Sequence, residues 1–230
     1  MKEFDGAEIH RILGVSFKNV EYLQTAFTHR SYLNEHRNYP LDHNERFEFL
    51  GDAVLELVVT EYIFHTYPNP EGELTSWRAA LVNGEMLSRV GTELGIEPFL
   101  LMSRGEAKDT GRSRQYLVAN AMEAIIGALY LDQGYDAARD FILRVIVSHL
   151  PEVFEQKLYA DPKSEFQEES QTRFGMTPSY RVLSEFGPDH DKRFTAGAYV
   201  GEDLIAEGEG SSKQEAQREA AKNALKKKGW

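Results

Sequence analysis

Residues 115–132 are almost wholly apolar, and this stretch restricts the fold of the chain more than any other. We interpret it as a helix, and a helix that is apolar on every side has to be buried among other elements. Glu123 lies inside this stretch. A buried glutamate must be paired, protonated or bound to a metal, because an isolated buried charge is very costly. Glu123 is therefore a candidate functional residue.

A second helix is predicted from residue 44 to about Tyr67, where Pro68 and Pro70 end it. Apolar residues at three- and four-residue steps define its buried face: Phe47, Leu50, Val54, Leu57 and Val58. Acids at the same steps define another face: Glu45, Glu48, Asp52 and Glu56. Like charges so spaced destabilise a helix by about 0.2–0.5 kcal/mol per pair.

A divalent cation would relieve this repulsion, and carboxylate oxygens suit Mg²⁺ or Mn²⁺. The alternative interpretation is a solvated acidic face with Arg46 as the local counter-charge, since most charge runs lie at the surface. The residues alone favour that alternative.

Three segments resemble the ribonuclease III family of double-stranded-RNA endonucleases. Residues 44–55 read Asn-Glu-Arg-Phe-Glu-Phe-Leu-Gly-Asp-Ala-Val-Leu and closely resemble its signature. Residues 28–32 resemble the Thr-His-Arg-Ser-Tyr element that precedes the signature. Residues 119–128 resemble the second acidic element, Ala-Asp-x-x-Glu-Ala-x-x-Gly-Ala, with Asn120 at the aspartate position. The resemblance shifts the interpretation of the acidic face towards a metal site.

The resemblance implies a set of site residues. It makes Asp52 and Glu123 catalytic, and it makes four side chains metal ligands: Glu48, Asp52, Asn120 and Glu123. It places Glu45 and Glu71 at the outer edge of the same site, although Glu71 reads equally well as an ordinary acid at a helix N-terminus. The implied chemistry is Mg²⁺-assisted hydrolysis, with Mn²⁺ as a possible substitute, giving 5′-phosphate and 3′-hydroxyl ends.

Asn120 departs from the family pattern. An amide retains one carbonyl oxygen that can ligate a hard cation, but the substitution removes a negative charge, so weaker metal binding is expected. Its NH₂ group could also hydrogen-bond Glu123, three residues further along the helix. Asn120 therefore favours an alternative function, in which a catalytically impaired dimer binds duplex RNA without efficient cleavage.

Phe49 points away from the acids on the predicted helix. In the resemblance this position carries an aromatic side chain that enters a socket on a second subunit, which implies a homodimer with one acidic site for each RNA strand. The alternative is that Phe49 belongs to the core of its own chain.

Composition places further bounds on function. The chain has 230 residues, a formal net charge of -11 and no cysteine, so it has no disulfide framework, zinc–thiolate site or thiol nucleophile. Its N-terminus is unlike a signal peptide, and no apolar run approaches the ~20 residues needed to cross a bilayer. We expect a cytoplasmic protein with no membrane partner. The acidic balance argues against nucleic-acid binding, which therefore has to rest on local patches.

The C-terminal part is less acidic. Residues 162–230 carry 11 Lys and Arg against 12 Asp and Glu. Two helices and three strands are predicted there in α-β-β-β-α order, at residues 163–174, 179–185, 193–200, 203–209 and 212–228. This order, with the segments 187–194 and 210–213, resembles a double-stranded-RNA-binding domain.

The resemblance assigns RNA contacts to four residues: Gln167, Glu168, His190 and Lys213. The usual Lys-Lys-x-Ala-Lys cluster reads Lys-Gln-Glu-Ala-Gln at residues 213–217, so weaker affinity and a shallower salt dependence are expected.

The sequence as a whole predicts an all-α endonuclease domain at residues 1–158, a linker at 159–161 and an α+β RNA-binding domain at 162–230. The expected function is Mg²⁺-dependent endonucleolytic cleavage of double-stranded RNA by a homodimer, in the processing of ribosomal and messenger RNA precursors.

Overall fold

The computed structural model describes residues 6–159, 161–188 and 192–230. The chain divides into two compact units, Met1–Tyr159 and Ala160–Trp230. The first unit is helical, and the second packs helices against a three-stranded antiparallel sheet. This confirms the predicted fold class. The predicted limits of the domains and of the linker at 159–161 stay predictions.

The α-helices described in the first unit are, in chain order, α1 (Gly6–Leu13), α2 (Val20–Ala26), α3 (Arg30–Glu35), α4 (Glu45–Thr66), α5 (Glu71–Val82), α6 (Gly84–Leu94), α7 (Arg112–Gln133), α8 (Tyr135–Val145) and α9 (Leu150–Glu155). Short 3-10 turns lie at Glu97–Phe99, Glu106–Lys108 and Val147–His149. Helix α7 contains the apolar stretch, and its residues from Leu117 to Ala119 and from Ala124 to Leu129 are buried. It lies against α2, α4, α6 and α8, which form the core around it.

Two predicted helices are divided in the structure. Apolar residues such as Leu81, Leu87 and Val90 predict a single helix of about twenty residues after Thr75. The structure has two helices there, because Asn83 has an extended backbone and its side chain accepts a hydrogen bond from the Met86 N–H (2.9 Å), which caps α6. The sequence also predicts one last helix at residues 134–157, but the helix ends at Val145, and Pro151 lies in the first turn of α9. Proline is tolerated there because a first-turn N–H has no partner within the helix.

The second unit consists of α10 (Pro162–Phe174), β1 (Ser179–Phe186), β2 (Arg193–Val200), β3 (Asp203–Gly210) and α11 (Lys213–Lys228). The sheet has the order β1-β2-β3, with both pairs antiparallel. Phe166 of α10 and the alanines of α11 bury the inner face of the sheet, where Ala198 and Ile205 lie. The order is the predicted one.

Within the described part of the chain, no helix combines the length and the apolar character needed to cross a membrane.

Candidate active site

The first turn of α4 is tied to the segment that precedes α3. The Asn44 N–H donates to the Thr28 carbonyl (2.9 Å), and Asn44 Nδ2 donates to the Ala26 carbonyl (3.2 Å). The sequence predicts that Asp42 or Asn44 caps this helix through its side chain. Asn44 occupies the cap position, but its side chain makes no capping hydrogen bond and instead holds α4 to the rest of the unit.

Helices α4 and α7 cross at a pair of glycines. A Cβ atom on Gly51 would lie 1.8 Å from the carbonyl oxygen of Glu123, and one on Gly127 would lie 2.2 Å from the carbonyl oxygen of Phe47. Only glycine lets the two backbones approach this closely. Glu48 and Asp52 flank Gly51 on α4, and Glu123 lies one turn before Gly127 on α7. The crossing therefore brings the acids of the two helices together.

The electrostatics of the crossing show how close the carboxylates are. Burial, followed by the charges of Asp52 and Glu48, raises the pKa of Glu123 from its usual 4.5 to about 7. Burial, followed by the charges of Glu45 and Asp52, also raises the pKa of Glu48. Glu123 is half-buried rather than enclosed in the core, while Asp52 is exposed. Without a cation, these side chains repel one another.

Asn120 lies in this cluster and hydrogen-bonds Glu48. Its carboxamide donates to the Glu48 carboxylate and partly opposes the rise in the pKa of that group. The partner we considered from the sequence was Glu123. The interaction joins α7 to α4 instead.

The cluster offers four candidate metal ligands: Glu48, Asp52, Asn120 and Glu123. Within residues 6–159, 161–188 and 192–230, no three His, Asp or Glu side chains already converge as metal ligands. The donor set nevertheless fits a hard divalent cation, since three carboxylates and one amide supply only oxygen ligands. Burial is the main cause of the raised pKa of Glu123, and the charges of Asp52 and Glu48 add to it; a cation would offset both effects.

The two outer acids have separate surroundings. Glu45 Oε1 lies 3.4 Å from Arg30 Nη1, and Glu45 Oε2 lies 3.8 Å from His43 Nδ1. Glu71, the first residue of α5, accepts a hydrogen bond from Thr75 Oγ1 on its own helix (3.0 Å). The sequence pattern does not predict the pairing of Arg30 with Glu45, because the two residues lie on different helices and meet only in the folded unit.

Arg114 and Arg78 each have a polar partner within the first unit. Arg114 Nε lies 2.7 Å from Glu97 Oε1 in an ion pair. Arg78 Nη1 donates to Thr60 Oγ1 on α4 (3.1 Å), two turns beyond Asp52 on that helix.

Phe49 is 82% exposed, so it does not belong to the core of its own unit. A groove of about 770 Å³ lies beside it, lined by Tyr22, Leu41, Phe47, Leu50 and Leu131 among others. Charged and polar side chains complete the lining, so Phe49 and this mixed groove form a candidate contact surface for another protein chain.

Both units of the chain match models of known protein families. A model described as ribonuclease-III-like matches residues 19–150, and a double-stranded RNA binding motif matches residues 162–228. The chain belongs to the ribonuclease III family. It is a ribonuclease III-type endoribonuclease that acts on double-stranded RNA.

Similar full-length proteins carry the name ribonuclease 3. The one from Carboxydothermus hydrogenoformans is 46% identical over 94% of this chain and 93% of its own length. The one from Borreliella burgdorferi is 41% identical over 93% of this chain and 87% of its own length. Among solved structures, the nuclease domain of ribonuclease III from Campylobacter jejuni matches 64% of this chain and 99% of its own, with a TM-score of 0.58 and 38% identity.

The RNA-binding motif of this ribonuclease III presents most of its predicted contacts to solvent. Gln167 and Glu168 are exposed on α10, and Lys213 is exposed as the first residue of α11. Lys213 Nζ lies 5.8 Å from the centroid of the Phe194 ring. His190, the fourth predicted contact, lies outside the described residues. Lys163 Nζ bonds Gln217 Oε1 (3.0 Å), so Gln217 is tied to a lysine of α10.

Proposed function

We propose that this ribonuclease III hydrolyses phosphodiester bonds of double-stranded RNA in a Mg²⁺-dependent reaction that leaves 5′-phosphate and 3′-hydroxyl ends. The observation that carries the proposal is the Gly51–Gly127 crossing, which brings α4 with Glu48 and Asp52 against α7 with Glu123; burial and the charges of Asp52 and Glu48 raise the pKa of Glu123 to about 7. The carboxylate and amide oxygens of these neighbouring side chains match the ligand preference of Mg²⁺, and Mn²⁺ is the expected substitute.

The proposed roles follow from position and charge. Glu48, Asp52, Asn120 and Glu123 hold the cation, with Asp52 and Glu123 as the catalytic pair. When bound, Mg²⁺ lowers the pKa of a water molecule and neutralises charge on the leaving oxygen. Asp52 is exposed and is proposed to face a phosphate of the substrate. Glu123 is half-buried and is proposed to bind the cation from the inner side of the site. Glu45 and Glu71 are proposed to extend the acidic surface.

A catalytically impaired binder is the second candidate, and the hydrogen bond from Asn120 to Glu48 favours it. An aspartate at position 120 would add a negative ligand, whereas the asparagine partly satisfies Glu48 without a metal. The missing negative charge and the interaction with Glu48 both reduce the free energy that the site gains when it binds a cation.

Replacing Asn120 with aspartate is expected to lower the Mg²⁺ concentration needed for half-maximal cleavage about tenfold, because the number of charged ligands tunes metal affinity. The measurement is cleavage of a long RNA duplex across Mg²⁺ and Mn²⁺ titrations. Asn38→Asp is the control, since it makes the same charge change at an exposed residue of the α3–α4 loop.

Cleavage by the unaltered chain at high Mg²⁺ supports the proposed enzyme. Cleavage only after Asn120→Asp supports the impaired binder. If neither chain cuts a duplex that both still bind, the metal-site assignment is wrong.

The working form is proposed to be a homodimer, with Phe49 of one subunit entering the groove beside Phe49 of the other. The Campylobacter jejuni relative supports this proposal, because its nuclease domain has a region involved in dimer formation. Two subunits related by a two-fold axis would present one acidic site to each strand of a duplex.

Phe49→Asp is expected to shift the protein from dimer to monomer by analytical ultracentrifugation, because a charge in an apolar contact is costly. Phe186→Asp is the matched control, since Phe186 is 52% exposed in the other unit. A Phe49→Asp protein that sediments like the control variant would refute the proposed contact.

For the C-terminal unit we propose that Gln167, Glu168, His190 and Lys213 contact the grooves and backbone of the duplex. The A-form shape of RNA, read through 2′-hydroxyls and phosphates, is the proposed determinant of binding. Processing of ribosomal and messenger RNA precursors in the cytoplasm is the proposed setting.

A further inference from the structure

Arg30 lies at the rim of the acidic cluster. Its guanidinium is 3.4 Å from Glu45, which begins α4 one turn before Glu48. Both side chains are open to solvent, at 69% exposed for Arg30 and 46% for Glu45. Exposed ion pairs of this kind contribute only about 0–1 kcal/mol. The pair is therefore easily exchanged for a stronger partner.

The backbone that carries Arg30 is fixed from two sides. The His29 N–H donates to the Leu101 carbonyl (2.8 Å), and the Ser103 N–H donates to Ser31 Oγ (3.0 Å). His29 Nδ1 in turn hydrogen-bonds Ser31 Oγ (2.8 Å). On the other side, Thr28 accepts the Asn44 N–H at the start of α4. Arg30 is thus projected from a rigid segment, next to the helix that carries Glu48 and Asp52.

A duplex that approaches these acids brings its phosphates into a strongly negative region. A guanidinium at the rim offers a forked set of donors that matches a phosphate better than an ammonium group does. The carboxylate of Glu45, which also faces His43, competes with a phosphate for Arg30.

We propose that Arg30 is a substrate-binding residue that exchanges Glu45 for a backbone phosphate when duplex RNA enters the site. Before the substrate arrives, Glu45 holds the guanidinium of Arg30 in place. When the substrate binds, the phosphate has to displace Glu45. This inference rests on the proposed function, since it assumes that RNA is bound beside the acidic cluster.

The test uses the full chain with Arg30→Ala, Arg30→Lys, Glu45→Gln and the Arg30→Ala/Glu45→Gln double variant. Arg37→Ala is the matched control, because Arg37 is exposed in the nearby α3–α4 loop. The probes are dissociation constants for a short RNA duplex in EDTA over a range of salt concentrations, and KM and kcat in Mg²⁺. Thermal unfolding checks that each variant is folded.

Arg30→Ala is expected to raise KM and the dissociation constant about tenfold, the loss of one charge-assisted contact. The slope of log affinity against log salt should become shallower by about 0.7–0.9, which is one phosphate fewer. Arg30→Lys should restore part of the affinity and the full slope. Glu45→Gln should tighten binding in the unaltered background and have a smaller effect when Arg30 is absent, because the two residues compete through one contact.

Affinity and slope in Arg30→Ala equal to those of Arg37→Ala would overturn the inference, as would additive effects of the two substitutions. If the unaltered chain cuts the duplex and Arg30→Ala behaves like it, the inference fails alone. If the unaltered chain neither binds nor cuts the duplex, the proposed function fails first.

Discussion

Replacing Gly51 with alanine is expected to abolish cleavage and to lower the free energy of unfolding by about 3 kcal/mol. The added Cβ atom would lie 1.8 Å from the Glu123 carbonyl oxygen and 2.9 Å from the Gly127 nitrogen. Both are backbone atoms, so no rotamer change can relieve the overlap, and α4 and α7 must separate. Separation withdraws Glu48 and Asp52 from Glu123, which removes the metal site and some of the surrounding core contacts.

Chemical denaturation and cleavage of a long duplex measure the two effects. Gly72→Ala is the control, because no atom lies within 4 Å of the position its Cβ would take in α5. Alanine there should be neutral or slightly stabilising, since glycine is the poorer helix former. Equal behaviour of the two variants would mean that the helix crossing is looser than described.

Glu123→Gln is expected to reduce cleavage by at least about 100-fold while it stabilises the metal-free protein by about 1 kcal/mol at pH 8. Burial and the charges of Asp52 and Glu48 raise the pKa of Glu123 to about 7, so the ionised form is disfavoured in the folded state. Glutamine keeps the shape without the charge. The expected gain in stability is smaller than the full pKa shift implies, because water partly screens the charge of half-buried Glu123.

The sign of the pH dependence follows from proton binding. Between pH 4.5 and about 7, the folded state holds a proton on Glu123 that the unfolded chain has released. The contribution of Glu123 to stability therefore falls as the pH rises through this window. In EDTA, the advantage of Glu123→Gln should be small at pH 4.5 and reach its full value at pH 8, as measured by urea unfolding.

Glu56→Gln provides the control, because it removes the same charge from an exposed position on the acidic face of α4. Its effect on stability should be small, because the side chain is exposed. A Glu123→Gln protein that is no more stable than the unaltered chain at pH 8 would show that Glu123 carries no unfavourable charge in the folded state.

The sequence predicted much of this arrangement, and the parts it missed have a common cause. Periodicity is a local property, so it located α4, α7 and the acids on their faces. The Gly51–Gly127 contact depends on where two distant helices cross, and neither glycine is distinctive in its own segment. The pairing of Arg30 with Glu45 and of Asn120 with Glu48 also follows from tertiary packing.

Local signals also explain the misplaced helix boundaries. The apolar spacing continues through Asn83, which hides the break that its side-chain cap produces. Local signals also overestimate the burial of Glu123, because its apolar neighbours in the sequence predict a fully buried side chain. It is half-buried because it lies where α7 meets the acidic face of α4 rather than on the side enclosed by α6 and α8.

The contact between Gly51 and Gly127 has a consequence for genetic suppression. Most overpacked core positions can be rescued by trimming the side chain that they strike. Here an added methyl group would meet a carbonyl oxygen of the opposite helix, which every residue type carries. Substitution of Phe47 or Glu123 would leave that oxygen in place. Screens for revertants of Gly51→Ala should therefore recover glycine itself or nothing, since no trimming of a neighbouring side chain provides the missing space.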